Sequence, residues 1–306
     1  MEMVRITDVS PRDGLQNEPG VIPTADKVRL VELLCAARVD EVEVSSFVSA
    51  RWVPQLADAA EVFRAVAASK PHGVAFSALV PNERGLEAAL DVNQRAGRRL
   101  IDKVSVFTAA SETFAQRNTN ATIDETLTRF APVVRRAHAA GLLVRGYVSC
   151  IVRCPFEGDI APQAVTGVCR RLLDLGVDEL ALGETPGAGP EPTITAVLEA
   201  VRQALPQAWP AAVTLHLHDT AGRAAECVRA ALRLGLRSFD GSAGGLGGCP
   251  YASTPQRRAP GNIATETLVA TVAAEGFGVG IAADALAAAG RFARSLLARS
   301  ARGDQP

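Results

Sequence analysis

Short runs of apolar and β-branched residues alternate along the chain with longer Ala- and Leu-rich stretches. The short runs predict strands over residues 4–9, 41–46, 73–80, 103–107, 142–150, 179–182, 213–218 and 238–242. Apolar positions recurring at helical spacing predict helices over 25–38, 56–68, 123–140 and 221–234. Gly141, Gly176 and Gly235 each follow a helical pattern and read as left-handed C-caps. A last Ala-rich stretch, 281–299, reads as an extra helix. Repeated strand–helix alternation calls for a parallel sheet with helices packed outside it. Eight such units in 306 residues suit an α/β (β/α)8 TIM barrel, with residues 1–306 as one catalytic domain. A doubly wound open sheet is the rival arrangement.

A barrel directs attention to the C-terminal ends of its strands, where active sites are built. His216-Leu217-His218 ends the seventh predicted strand, and residues two apart share a face. Both imidazoles therefore face inward, either as ligands to a divalent metal or as two separately hydrogen-bonded core histidines. The chain has four histidines, and two of them stand here, which favours the metal. Pro11-Arg12-Asp13-Gly14 follows the first strand. It reads as a solvated loop, or as an oxygen ligand (Asp13) beside an arginine offering donors to an oxyanion or a carboxylate. Gly244-Gly245-Leu246-Gly247-Gly248-Cys249-Pro250 follows the eighth strand and is a phosphate cradle or a mobile lid. It lacks the third glycine of a dinucleotide fingerprint. Cys249 on such a loop could act as an acid or a nucleophile.

Composition narrows the classes. Apolar residues make up 48% and charged residues 21%, enough for a full core. Net charge is −1, which gives no general pull toward nucleic acid or an anionic membrane. No apolar run reaches the length of a membrane span, and the N-terminus lacks a signal-peptide layout. Six scattered cysteines without C-x-x-C spacing suggest reduced thiols and a cytoplasmic location.

Several motifs occur together in one order: Thr7 to Glu18 (TDVSPRDGLQNE), Ser46-Phe-Val-Ser49, Arg51-Trp-Val-Pro-Gln55, Arg145-Gly-Tyr-Val-Ser-Cys150, His216-Leu-His-Asp-Thr220 and Gly244 to Ala252 (GGLGGCPYA). In these the chain resembles the hydroxymethylglutaryl-CoA lyase family of the DRE-TIM metallolyases. The resemblance implies Mg²⁺ or Mn²⁺ held by Asp13, His216, His218 and Asn262. It makes Arg12, Glu43 and Cys249 catalytic, with His216 or Glu184 as base. It places substrate contacts at Gln16, Ser46, Ser111 and Thr185. The implied activity is retro-Claisen cleavage of a 3-hydroxyacyl-CoA, closed over by a lid-like extension, in a homodimer. Two positions depart from the family pattern. Leu182-Gly183-Glu184-Thr185 has Glu where Asp is usual, and the stretch from Cys249 to Asn262 is longer, with Arg257 and Arg258 in it. Either departure could alter the acyl group. The alternatives are a lyase for a different 3-hydroxyacyl-CoA, or a synthase of the same superfamily running the condensation. A metal hydrolase would place its His-x-His after the first strand and recruit further histidines, and here only His72 and His138 remain.

Overall fold

A computed structural model describes residues 1–248 and 261–302. Eight parallel strands close on themselves. They are β1 (Arg5–Asp8), β2 (Glu41–Ser46), β3 (Ala75–Leu79), β4 (Lys103–Ala109), β5 (Leu143–Ser149), β6 (Glu179–Glu184), β7 (Val213–Leu217) and β8 (Ser238–Gly241). Closure comes from β1 pairing in parallel with β8, Arg5 opposite Ser238 and Asp8 opposite Gly241. The barrel predicted from the strand pattern is therefore present, and the open sheet is excluded.

Most predicted boundaries lie close to those observed. Two helices begin later than the apolar pattern suggests. Residues 56–68 give a 3₁₀ turn, Pro54–Leu56, and then a helix, Ala59–Val66. Asp58, at the start of that helix, spends its carboxylate on Thr24 and Lys27 rather than on capping. Residues 221–234 give the helix Ala224–Arg233, because Gly222 takes φ +70° and Asp219 Oδ1 accepts from the Ala224 N–H. Gly141, Gly176 and Gly235 all take positive φ at their helix ends. The last helix, Ala283–Arg302, is present and packs on the first, Thr24–Ala37. Among the described residues, no helix is long and apolar enough to cross a membrane.

The barrel interior departs from the usual filling of branched apolar side chains. Lys103, Arg145, Glu41 and Glu179 project into it and are buried. Lys103 Nζ donates to Glu41 Oε2 at 2.6 Å and to Glu179 Oε2 at 2.5 Å. Arg145 Nη2 donates to Glu179 Oε1 at 2.6 Å, and its Nη1 to Asp240 Oδ1 at 3.0 Å. A charge taken out of water persists only when paired in this way. The chain of ion pairs seals the barrel floor and ends just beneath the mouth, at Asp240.

Candidate active site

The mouth holds a cavity of about 770 Å³, lined by residues from the C-terminal ends of several strands and the loops beyond them. Arg12 and Asp13 reach it from a tight π-helical turn, Ser10–Gly14, directly after β1. That turn is pinned from below by Asp8. Its carboxylate accepts from Ser10 N and Oγ, Ala243 N and Thr265 Oγ1, tying the first strand's turn to the loop after the eighth. Burial raises the Asp8 carboxyl to about 6.

His216 lies in β7 and His218 one residue past its end, where its backbone bridges to Asn262. Their side chains share one face, and their Nε2 atoms stand 3.4 Å apart. One ligand atom from each of Asp13, His216 and His218 lies within 4.8 Å of the other two. Asn262 Nδ2 donates to Asp13 Oδ2 at 2.8 Å, which brings the fourth expected residue to the same point. Gly247 makes this closeness possible. Its φ is +94°, and a Cβ there would stand 2.7 Å from Asn262 Nδ2 and 3.0 Å from the Asp13 carbonyl oxygen.

The residues fit a divalent cation on three observations. Asn262 Oδ1 and His218 Nδ1 are buried without a hydrogen-bond partner. The donor set of two imidazoles, a carboxylate and an amide oxygen is one that holds a divalent cation. In the buried ion network Arg12, Lys103 and Arg145 face Asp13, Glu41, Glu43, Glu179 and Asp240, apart from the half-exposed Arg5 at its edge. With neutral imidazoles the carboxylates exceed the cations by two, the charge a divalent ion supplies.

Electrostatics match this reading. Burial works against the Asp13 anion, but Arg12 and the two imidazoles outweigh it and hold the carboxyl at about 2. Burial, reinforced by His216, pushes His218 down to about 4. Burial opposes a charged His216 as well, yet the hydrogen bond and charge of Asp240 raise it above the ordinary imidazole value. Arg12 is clamped: Nε and Nη2 reach Glu43 Oε2 at 2.6 and 2.5 Å, and Nη1 reaches Asp13 Oδ1 at 2.6 Å. Glu43 lies beneath Arg12, behind the cavity wall, and holds the guanidinium in place.

The other predicted residues divide. Gln16, Ser46 and Thr185 line the cavity, with Gln16 Nε2 donating to Asp13 Oδ1 at 3.1 Å. Ser46 owes its place to a β-bulge. The β2–β3 register shifts between Glu43 and Ser45, so Ser46 rather than Ser45 turns to the cavity. Ser111 is not brought to the cavity. Its hydroxyl caps the helix Glu112–Thr119 by accepting from Phe114 N, and it donates to Cys154 Sγ at 3.0 Å. Cys249 lies outside the described residues. Sequence reasoning missed Asp240 and Tyr147, and gave Arg145 no role. For Arg145 and Asp240 the available signal was a full charge inside a strand, where only a paired group is tolerated.

Glu184 also stands behind the wall. Its side chain packs on Gly189, and it does not line the cavity, although its neighbours Gly183 and Thr185 do. Burial raises its carboxyl to about 7, against the pull of the Ala188, Gly189 and Gly187 N–H groups. The folded state thus holds a proton that the unfolded chain releases near the ordinary carboxyl range. Stability is therefore lost as pH rises from that range through about 7. Glu184→Gln should flatten this slope in a series of thermal midpoints from about pH 5 to about pH 8. A slope as steep as in the parent would assign the effect to Asp8 instead.

The sequence and the fold are similar to those of known proteins. The HMGL-like family model matches residues 3–292. The chain is 44% identical over 315 residues to a hydroxymethylglutaryl-CoA lyase of Pseudomonas mevalonii, covering 99% of each. It is 43% identical over 297 residues to a 3-hydroxy-3-isohexenylglutaryl-CoA/hydroxymethylglutaryl-CoA lyase of Pseudomonas aeruginosa, covering 97% of this chain and 94% of that one. The crystal structure of the HMG-CoA lyase from Brucella melitensis superposes with a TM-score of 0.89 at 43% identity, over 97% of this chain and all of that one.

Proposed function

The chain belongs to the HMGL-like family, and on that premise we propose that it is a carbon–carbon lyase cleaving 3-hydroxy-3-methylglutaryl-CoA to acetyl-CoA and acetoacetate. The observation that carries this reading is the convergence of Arg12, Asp13, His216, His218 and Asn262 at one end of the cavity. The rest of the cavity suits an acyl-CoA: Val48, Val53, Phe107 and Phe130 offer apolar walls, and the exposed Arg117 and Arg129 offer cations for phosphates.

A divalent cation held by Asp13, His216, His218 and Asn262 would supply Lewis-acid polarisation of the substrate's hydroxyl and carbonyl oxygens. The protein's own groups do the rest. The bond between C2 and C3 breaks, the 3-hydroxyl proton passes to a base, and the electron pair moves to the thioester as an enolate. Arg12, immobilised by Glu43 and Asp13, donates to the thioester oxygen as its charge grows. Glu184 takes the hydroxyl proton. A carboxyl at about 7 suits that exchange at neutral pH, and its sequence neighbours Gly183 and Thr185 line the cavity. Cys249 returns a proton to C2, giving acetyl-CoA. Buried free thiols at Cys35, Cys150, Cys154, Cys169 and Cys227 support a reducing, cytosolic setting.

Purified protein incubated with Mg²⁺ or Mn²⁺ and 3-hydroxy-3-methylglutaryl-CoA should release acetyl-CoA and acetoacetate in equal amounts. No cleavage of that thioester, with turnover of a longer branched homologue, would keep the lyase class and change the substrate. No cleavage of any 3-hydroxyacyl-CoA would remove the reading altogether.

Two substitutions test the assigned groups. Glu184→Asp restores the shorter side chain usual at this position and should keep turnover while changing the ranking of acyl substrates. Glu184→Gln should lower kcat by about 10²-fold or more, the scale of a lost acid–base group. Equal activity in Glu184→Gln would return proton removal to another base. Cys249→Ser should retain metal binding and lose most turnover, and alkylation of the parent should be slowed by a bound substrate analogue.

A further inference from the structure

We infer that Asp240, itself held by Arg145, is a positioning residue that fixes the tautomer and tilt of His216, so that the unprotonated ring nitrogen is the one facing the cavity. Asp240 lies in β8, fully buried, and its two oxygens are divided between two partners. Oδ2 meets His216 Nδ1 at 3.1 Å, and Oδ1 accepts from Arg145 Nη1 at 3.0 Å. A carboxylate offers no hydrogen, so the proton between Asp240 and His216 belongs to Nδ1. Nε2 is then left bare, and it points to the cavity beside His218 Nε2, 3.4 Å away.

Arg145 keeps Asp240 from turning. Its remaining hydrogen bonds reach Glu179 Oε1 at 2.6 Å, Thr7 Oγ1 at 3.0 Å and Tyr147 Oη at 3.3 Å, and it has no exposure to water. Tyr147 Oη donates in turn to Glu43 Oε2, the same atom that clamps Arg12. One buried arginine therefore steadies both sides of the mouth: His216 through Asp240, and Arg12 through Tyr147 and Glu43. The Tyr147 ring also meets the His216 ring edge-on, with centroids 6.0 Å apart, which limits rotation about χ2.

The consequence for metal binding rests on reading His216 as a ligand; the tautomer itself does not. Two measurements separate them. Long-range ¹H–¹⁵N spectra of ¹⁵N-histidine-labelled, metal-free protein near pH 8 should show His216 protonated at Nδ1 and bare at Nε2. A proton on Nε2 there, alone or with one on Nδ1, would overturn the inference without any substitution. In Asp240→Asn the amide can donate to Nδ1 and drive the proton to Nε2. Titration with Mn²⁺, followed by electron paramagnetic resonance, should then show about 10–100-fold weaker binding, the usual cost of losing such a partner. Asp240→Glu keeps the charge opposite Arg145 and should recover the tautomer and part of the affinity. A purely structural role would lower the thermal midpoint in Asp240→Asn and leave the tautomer unchanged, and that result also counts against the inference. If the parent protein binds no Mn²⁺ while the Nδ1–H tautomer is present, the metal reading fails and the role of Asp240 stands.

Discussion

Arg12→Gln is expected to lower kcat by about 10²–10³-fold, or roughly 3–4 kcal/mol, the scale of losing one oxyanion donor from a preorganised site. The guanidinium is held by Glu43 and Asp13 before substrate arrives, so little reorganisation is left for the reaction to drive. It attracts an enolate more strongly than a neutral carbonyl, and that difference is what accelerates the step. The structure adds a cost that the sequence alone did not reveal. Glu43 is fully buried, and removing its cation leaves an uncompensated charge, a change that typically destabilises by about 3–5 kcal/mol. Rates for Arg12→Gln should therefore be read well below its own melting temperature. Arg12→Lys keeps the charge and should recover stability better than rate, because an ammonium cannot bridge Glu43 and Asp13 in one plane. A raised KM with unchanged kcat would make Arg12 a ground-state anchor and sink its assignment to the enolate.

Chelation should reduce activity to background, and Mg²⁺ or Mn²⁺ should restore it. The pH dependence of that affinity follows from the individual groups. His216 has its pKa raised by Asp240, so protons compete with a cation for it at higher pH than for an ordinary imidazole. His218 stays neutral down to about 4, and Asp13 stays ionised down to about 2. Over the interval between, the logarithm of the apparent dissociation constant should rise as pH falls, with a slope approaching one proton. A slope of two would show that both imidazoles are protonated together and that their assigned difference is absent. Full activity of a metal-free preparation would contradict the ligand set itself.

Much of this molecule was legible before any coordinates. The strands announced themselves through continuous apolar runs, and the His-x-His spacing placed two imidazoles on one face because strand periodicity leaves no other choice. What escaped was set by three-dimensional closure. Ser46 faces the cavity only because of a bulge, and a bulge depends on how β2 pairs with β3. Ser111 is a position where the resemblance implies a substrate contact, yet its hydroxyl is spent on capping the next helix and on Cys154, which is 43 positions away. Asp240 and Arg145 are 95 positions apart, and their pairing exists only once the fifth and eighth strands share one barrel.

The ion chain on the barrel floor bears on how freely the two halves of the fold can be exchanged. Its links run across the midpoint: Lys103 on β4 joins Glu41 on β2 to Glu179 on β6, and Arg145 on β5 reaches Thr7 on β1. A barrel assembled from two copies of β5–β8 would enclose two Asp240 and two Glu179 carboxylates with only two arginines, and no lysine. A circular permutant that keeps every strand would keep every pair, wherever its new ends were cut. The interior charges thus make the eight strands interdependent as a ring while leaving the starting point of the chain unconstrained, and duplication of the second half, open to a barrel with an apolar floor, would leave carboxylates unpaired in this one.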